Sequence, residues 1–258
     1  MNTIKSISAA RWGVLALFAI TILMNYLSQS ILFDGQTIGT VSDKYSTLIT
    51  PAGYAFSIWG LIYLTLGAYV YYQAFQANPA HNIFDRIAPP LILNLIANSL
   101  WLVAFQSEYI TLSVVFMLVI LATLIVITIQ WVKDRSLPIR LKTKLRIPFS
   151  LYLGWISVAT IVNLSVLAKY TNWNVLGLSE PTWVVIMTTA GATLAIFVLL
   201  ATRDVVYPLV LVWAYIAIAV AQPDNQLILT AALGWAGILL ISDLIYFIRQ
   251  WRREKVLV

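Results

Sequence analysis

Cysteine is absent from the sequence, histidine occurs once, and only 10% of the 258 residues are charged. The first absence removes disulfides, thiolate chemistry and cysteine-held metals without identifying a compartment. The second removes a bis-histidine haem and leaves a histidine-based metal site without ligands, because the lone His81 falls in a connecting segment. Scarce charge is the more consequential lack. A soluble globular chain carries roughly 25% charged residues, whereas here 61% are hydrophobic. Long uncharged runs in lipid must satisfy every backbone polar group internally, which only helices and closed barrels achieve, and the alternation of a barrel strand is missing.

What is there is a series of apolar segments of about twenty residues, the length that crosses a bilayer. They run approximately over 12–32, 53–74, 87–105, 109–131, 147–167, 182–201, 205–221 and 227–248, the seventh being the shortest. The breaks hold turn chemistry: Gly35 after Asp34, Asn78 before Pro79, Pro138, Pro181 after Glu180, and Pro223 before Asp224. The first segment follows Lys5 and Arg11 as a signal peptide would, but residues 25–29 make a poor cleavage site, so it is read as a helix. The fold class is therefore an all-α integral membrane protein of about eight spans.

Charge placement supports this division. Eight spans put Lys5, Arg11, Arg86, Lys133, Arg135, Arg140, Lys142, Lys144, Arg146, Arg203, Arg249, Arg252, Arg253 and Lys255 on one side, and only Lys44 and Lys169 on the other. Such a split predicts that both termini are cytoplasmic, or the organellar equivalent. The host is expected to be a prokaryotic plasma membrane or an organellar one. The formal net charge of +6 is thus a matter of topology and lipid contact, and nucleic acid is not an expected partner. The longest connection on the opposite side, residues 33–50, is long enough to fold over a site, although a plain surface loop is an equal reading.

Candidate site residues fall into helical stripes. Phe56, Trp59, Tyr63 and Gly67 share a face of the second segment; Asn94, Asn98, Trp101 and Phe105 of the third; Tyr152, Trp155, Ala159 and Asn163 of the fifth. Lipid-facing surfaces do not need such residues. They enclose an aromatic pocket, or the asparagines are interhelical glue and the rings are packing. Other chemistry is bounded: no lysine lies inside a span, which excludes a retinal Schiff base, and Asp243 is the one carboxylate within a span, near enough to Arg249 for a salt bridge. No second buried acid is found for a carboxylate-pair mechanism. Gly191 and Ala195 form a small-xxx-small face, read as packing, with a homodimer contact as the other reading.

Three of these segments also resemble a known family. Pro51, Phe56, Trp59, Tyr63 and Gly67 are similar to the second-helix signature of the translocator protein / tryptophan-rich sensory protein (TspO/MBR) family. Asn98, Trp101 and Phe105 match its third helix, and Pro148, Tyr152, Trp155 and Asn163 its fifth, in the same order. One departure is that Ser57 and Ile58 replace a Gly-Pro-Val, one residue shorter. The resemblance covers about residues 12–173. It implies a five-helix translocator-like bundle over 1–173, with three additional C-terminal helices and a basic tail over 174–258. It further implies a non-enzymatic receptor, with Phe56, Trp59, Tyr63, Asn98, Trp101, Phe105, Tyr152, Trp155 and Asn163 lining a pocket for a tetrapyrrole- or sterol-like molecule under the long first loop. No cofactor is required; a tetrapyrrole would be a ligand. A sterol motif after Tyr170 is not completed by Thr171 to Val175. A transporter using the same cavity, or a structural subunit of a larger membrane complex, are the other functional readings.

Overall fold

A computed structural model describes residues 8–28, 32–33, 35–76, 82–173 and 177–256, with side chains through Arg249. Lys5 and His81 lie outside the described residues, as do the side chains of Arg252, Arg253 and Lys255. Helices α1 (Ala9–Ser28), α2 (Ile38–Lys44), α3 (Ile58–Phe75), α4 (Ile83–Gln106), α5 (Ile110–Lys133), α6 (Ile139–Tyr170), α7 (Glu180–Thr202), α8 (Val206–Ala221) and α9 (Gln226–Val256) follow in order, and no strand occurs among the described residues. Seven of these are long and apolar enough to cross a bilayer, with α8 a shorter apolar helix. The protein is an integral, multi-pass, all-α membrane protein.

Helix ends follow the local chemistry. Ser179 caps α7 by accepting from the Thr182 amide, with Pro181 in its first turn. Asp204 Oδ1 accepts from the amides of Val206 and Tyr207 at the start of α8, and Asn225 Oδ1 from Ile228 at the start of α9. The basic run 140–146, expected in a loop, instead forms the first two turns of α6. Lys and Arg are good helix formers and need no lipid contact there, so the helix simply projects beyond its apolar part.

The chain divides into two compact units, Met1–Tyr45 with Ser57–Ile156, and Ser46–Phe56 with Ser157–Val258. The division falls inside α6, after Ile156. In the first unit α4 packs against α1 and α5. Near one end of these helices the buried Arg11 makes a two-pronged ion pair with Asp85, Nε to Oδ1 and Nη2 to Oδ2, both at 2.9 Å. Its guanidinium also lies 5.2 Å from the Phe84 ring centre. Phe84, Tyr69, Trp131 and Phe149 form a buried ring cluster beside it. The methylene of Gly67 meets the Phe18 ring, which a Cβ would approach to 3.3 Å. Gly67 thus admits the Phe18 ring of α1.

In the second unit α7, α8 and α9 pack on one another. Residues 46–56 belong with them: the Ala52 amide donates to Ala217 O at 3.0 Å, and Trp213 Nε1 donates to Ala55 O at 3.2 Å. Tyr207 and Ser157 hydroxyls bond at 2.9 Å. Ten of the sixteen residues of α8 are buried, while Leu209, Trp213, Ile216 and Val220, at helical spacing along one face, are exposed. At about 1.5 Å per residue it is shorter than the hydrocarbon core of about 30 Å. Asp243 on α9 is 6% exposed, and neither carboxylate oxygen has a hydrogen-bond partner among the described residues. The expected salt bridge to Arg249 is therefore not formed.

Candidate ligand-binding site

Seven of the nine sequence-selected residues belong to the first unit and converge there. On α3, Trp59 stacks on Tyr63, one turn later, with ring centres 5.3 Å apart and planes 20° apart. Trp59 also meets Trp101 of α4 at 6.2 Å, and takes Tyr152 and Trp155 of α6 edge-on at 5.7 and 6.5 Å. Trp101 continues the array by stacking on Phe105 at 5.4 Å and 17°. Offset and edge-to-face rings at these separations attract through their quadrupoles as well as by burial.

A polar thread runs through the rings. The Tyr63 hydroxyl donates to Asn98 Oδ1 at 3.2 Å, and Asn98 Nδ2 donates to the Tyr152 hydroxyl at 2.7 Å. Asn98 is 1% exposed and Tyr152 also 1%, so the bond between them is shielded from water, where an unpaired amide or hydroxyl would be costly. Because the Tyr152 oxygen accepts from Asn98, its own proton is left to point elsewhere. Asn94, one turn earlier on α4, plays a different part. Its Nδ2 donates to Thr123 Oγ1 at 2.9 Å and Ile120 O at 3.2 Å, tying α4 to α5. Of the two asparagines, only Asn98 joins the aromatic array.

The remaining two candidates fall in the second unit. Phe56 is off the α3 stripe because residues Gly53–Ser57 form a 3-10 turn, and α3 begins only at Ile58. Asn163 is buried on α6, two turns beyond Trp155.

A family model described as "TSPO-like protein" matches residues 11–245. The chain belongs to the TSPO-like protein family. The match runs from α1 through α9, so in this TSPO-like protein the last three helices are part of the family pattern, beyond the Trp173 limit of the sequence motifs. Comparison with curated proteins and with solved structures finds no match.

Two further features of this TSPO-like protein escape the motif reading. The first is a clasp on the long first loop. Glu108, in the turn between α4 and α5, receives Lys44 Nζ at 2.6 Å, the Tyr45 hydroxyl at 2.5 Å and Gln36 Nε2 at 2.9 Å. The Lys44 ammonium above all, then Tyr45 and Gln36, hold the Glu108 carboxyl down at about 2. The second is a cleft of about 290 Å³ in the second unit, lined among others by Lys169, Trp173, Glu180 and Trp183. Trp183, which reads as an interfacial anchor, donates from Nε1 to Ser165 Oγ at 3.1 Å and walls this cleft. The sequence signal was two tryptophans ten residues apart across a helix break, too common near membrane surfaces to single out.

Proposed function

We propose that this TSPO-like protein is a membrane receptor for a flat, hydrophobic small molecule of tetrapyrrole or sterol type. The observation that carries this reading is the array of Trp59, Tyr63, Trp101, Tyr152 and Trp155 around the Tyr63–Asn98–Tyr152 thread. A mostly apolar site with a few fixed polar groups suits a flat ligand with one polar edge. The rings supply stacking surface, Asn98 and Tyr152 orient the polar edge, and no group transfer is required. Binding inserts the ligand against rings that otherwise satisfy one another.

The test is porphyrin titration of the purified full chain, read by quenching of tryptophan fluorescence. Trp101→Leu or Trp155→Leu removes a π-face but keeps apolar bulk, so affinity falls by about 0.5–1.5 kcal/mol, roughly three- to tenfold. Trp12, 45% exposed on α1, is the control, and Trp12→Leu leaves affinity unchanged. Folded Trp101→Leu and Trp155→Leu proteins that bind porphyrin as tightly as the parent would sink the assignment. Flux of the same ligand into proteoliposomes separates a carrier from a receptor.

A further inference from the structure

The cleft in the second unit has the makings of a separate site. Its floor is apolar, with Ile49, Ala168 and Val184 all buried. Two indoles line it: Trp183, fixed through its bond to Ser165, and Trp173, which is 60% exposed. Opposite charges complete the lining. Lys169, at the end of α6, donates to Ser46 O, and Glu180, at the start of α7, accepts from the Leu48 amide through Oε1 at 2.7 Å. Both charged groups are thus positioned by the backbone of residues 46–48 rather than left to swing. An ammonium has three N–H groups and a carboxylate two oxygens, so each keeps capacity for a ligand after that anchoring contact.

We propose that this cleft binds the zwitterionic head of a phosphocholine-type amphiphile. Indole surface beside a carboxylate recognises a quaternary ammonium. Lys169 supplies a charge-assisted hydrogen bond for the phosphate, and the buried floor receives the first part of the apolar tail. A pair of interfacial tryptophans serving only as anchors would not need a cation and an anion fixed to the same strip of backbone. This inference is independent of the receptor reading, because every residue it uses belongs to the second unit and none to the aromatic array.

The experiment is isothermal titration of the full chain, purified in a maltoside detergent, with a short-chain diacyl phosphocholine below its micellar concentration. Saturable binding is expected, weakened about three- to tenfold by Trp173→Leu, the scale of a lost cation–π contact. Glu180→Gln and Lys169→Met weaken it too, and Trp101→Leu leaves it unchanged. Trp173 is mostly exposed, so its replacement tests the site without burdening the fold, even if Lys169→Met frees the 46–48 segment. Glycerophosphocholine, the head without chains, distinguishes the sources. Binding of both compounds supports a free zwitterion as ligand, and binding of the chain-bearing one alone supports a bilayer lipid. Equal affinity for the phosphatidylglycerol of the same chain length, or full affinity in folded Trp173→Leu and Glu180→Gln proteins, overturns the proposal. So does loss of binding in Trp101→Leu alone, which would place the amphiphile in the aromatic array.

Discussion

At the scale of single residues, chemically alike side chains have unlike roles, and their partners tell them apart. Asn94 and Asn98 share a helical face, yet Asn94 ties α4 to α5 while Asn98 bridges Tyr63 and Tyr152. Replacing either with Leu should cost about 0.5–2 kcal/mol of stability, the range for interhelical hydrogen bonds in membranes. Only Asn98→Leu should also weaken porphyrin binding, and paired melting and titration curves check the distinction. Gly191 offers a sharper case. A Cβ there would overlap the Tyr215 hydroxyl, which donates to Thr188 O at 2.7 Å. The small face of α7 is therefore occupied by α8, which is the packing reading of Gly191 and Ala195. Gly191→Ala should destabilise by about 1–3 kcal/mol, as overpacked cores do, with a lowered melting temperature as the readout. Asp243→Asn, by contrast, changes no hydrogen bond seen among the described residues. It should leave porphyrin affinity unaltered; loss of a pH-dependent transport activity in the folded variant would replace the receptor with a proton-coupled carrier.

At the scale of elements, the segment between α1 and α3 is built, not merely connecting. Helix α2 starts with a capping box in which Thr37 and Thr40 satisfy each other's amides, and its far end is held to the α4–α5 turn by Glu108. The sign of the pH dependence follows from the depressed Glu108 group. Its stabilisation is complete above the ordinary carboxylate value of about 4.5 and is lost as pH falls through about 2. Between those values, amide exchange in residues 38–44 should accelerate with acidification, and Glu108→Gln should show the faster exchange already at neutral pH. Exchange that is equally slow in parent and variant would mean that the clasp does not hold the helix. The length of this loop in the sequence is enough to suggest that it covers something. The clasp itself is not legible there, because Gln36, Lys44 and Tyr45 meet Glu108 across more than sixty residues of chain, a separation that carries no periodic signal.

At the scale of the whole molecule, the uneven distribution of Lys and Arg makes a topological prediction. Reporter fusions after Arg135 and after Arg253 should both read cytoplasmic, and one within residues 35–50 external, as the positive-inside rule requires of eight spans. Helix α8, at sixteen residues and largely buried, is the element this experiment probes. Opposite readings at Arg135 and Arg253 would show that α8 does not complete a crossing. The division into units cuts across the expected boundary at residue 173: residues 46–56 and the second half of α6 group with α7, α8 and α9, and the family match likewise continues to residue 245.

By itself the sequence determined the solvent, the helical class and the approximate spans. Each of these follows from local quantities, namely apolar run length, charge placement and residue spacing, which neighbours in the chain set without reference to distant ones. It also singled out seven residues on three helices whose side chains converge, because a stripe at helical spacing survives any packing of rigid helices. Tertiary structure decided the rest. Phe56 left its stripe because a 3-10 turn precedes α3, Asn94 and Asn98 parted because different helices face them, and Trp183 became a cleft wall because Ser165 of α6 accepts its indole N–H and Thr47 and Ile49 line the same cleft. Such outcomes depend on which surfaces come together, and side-chain partnership between remote segments is a property of packing that no local pattern encodes.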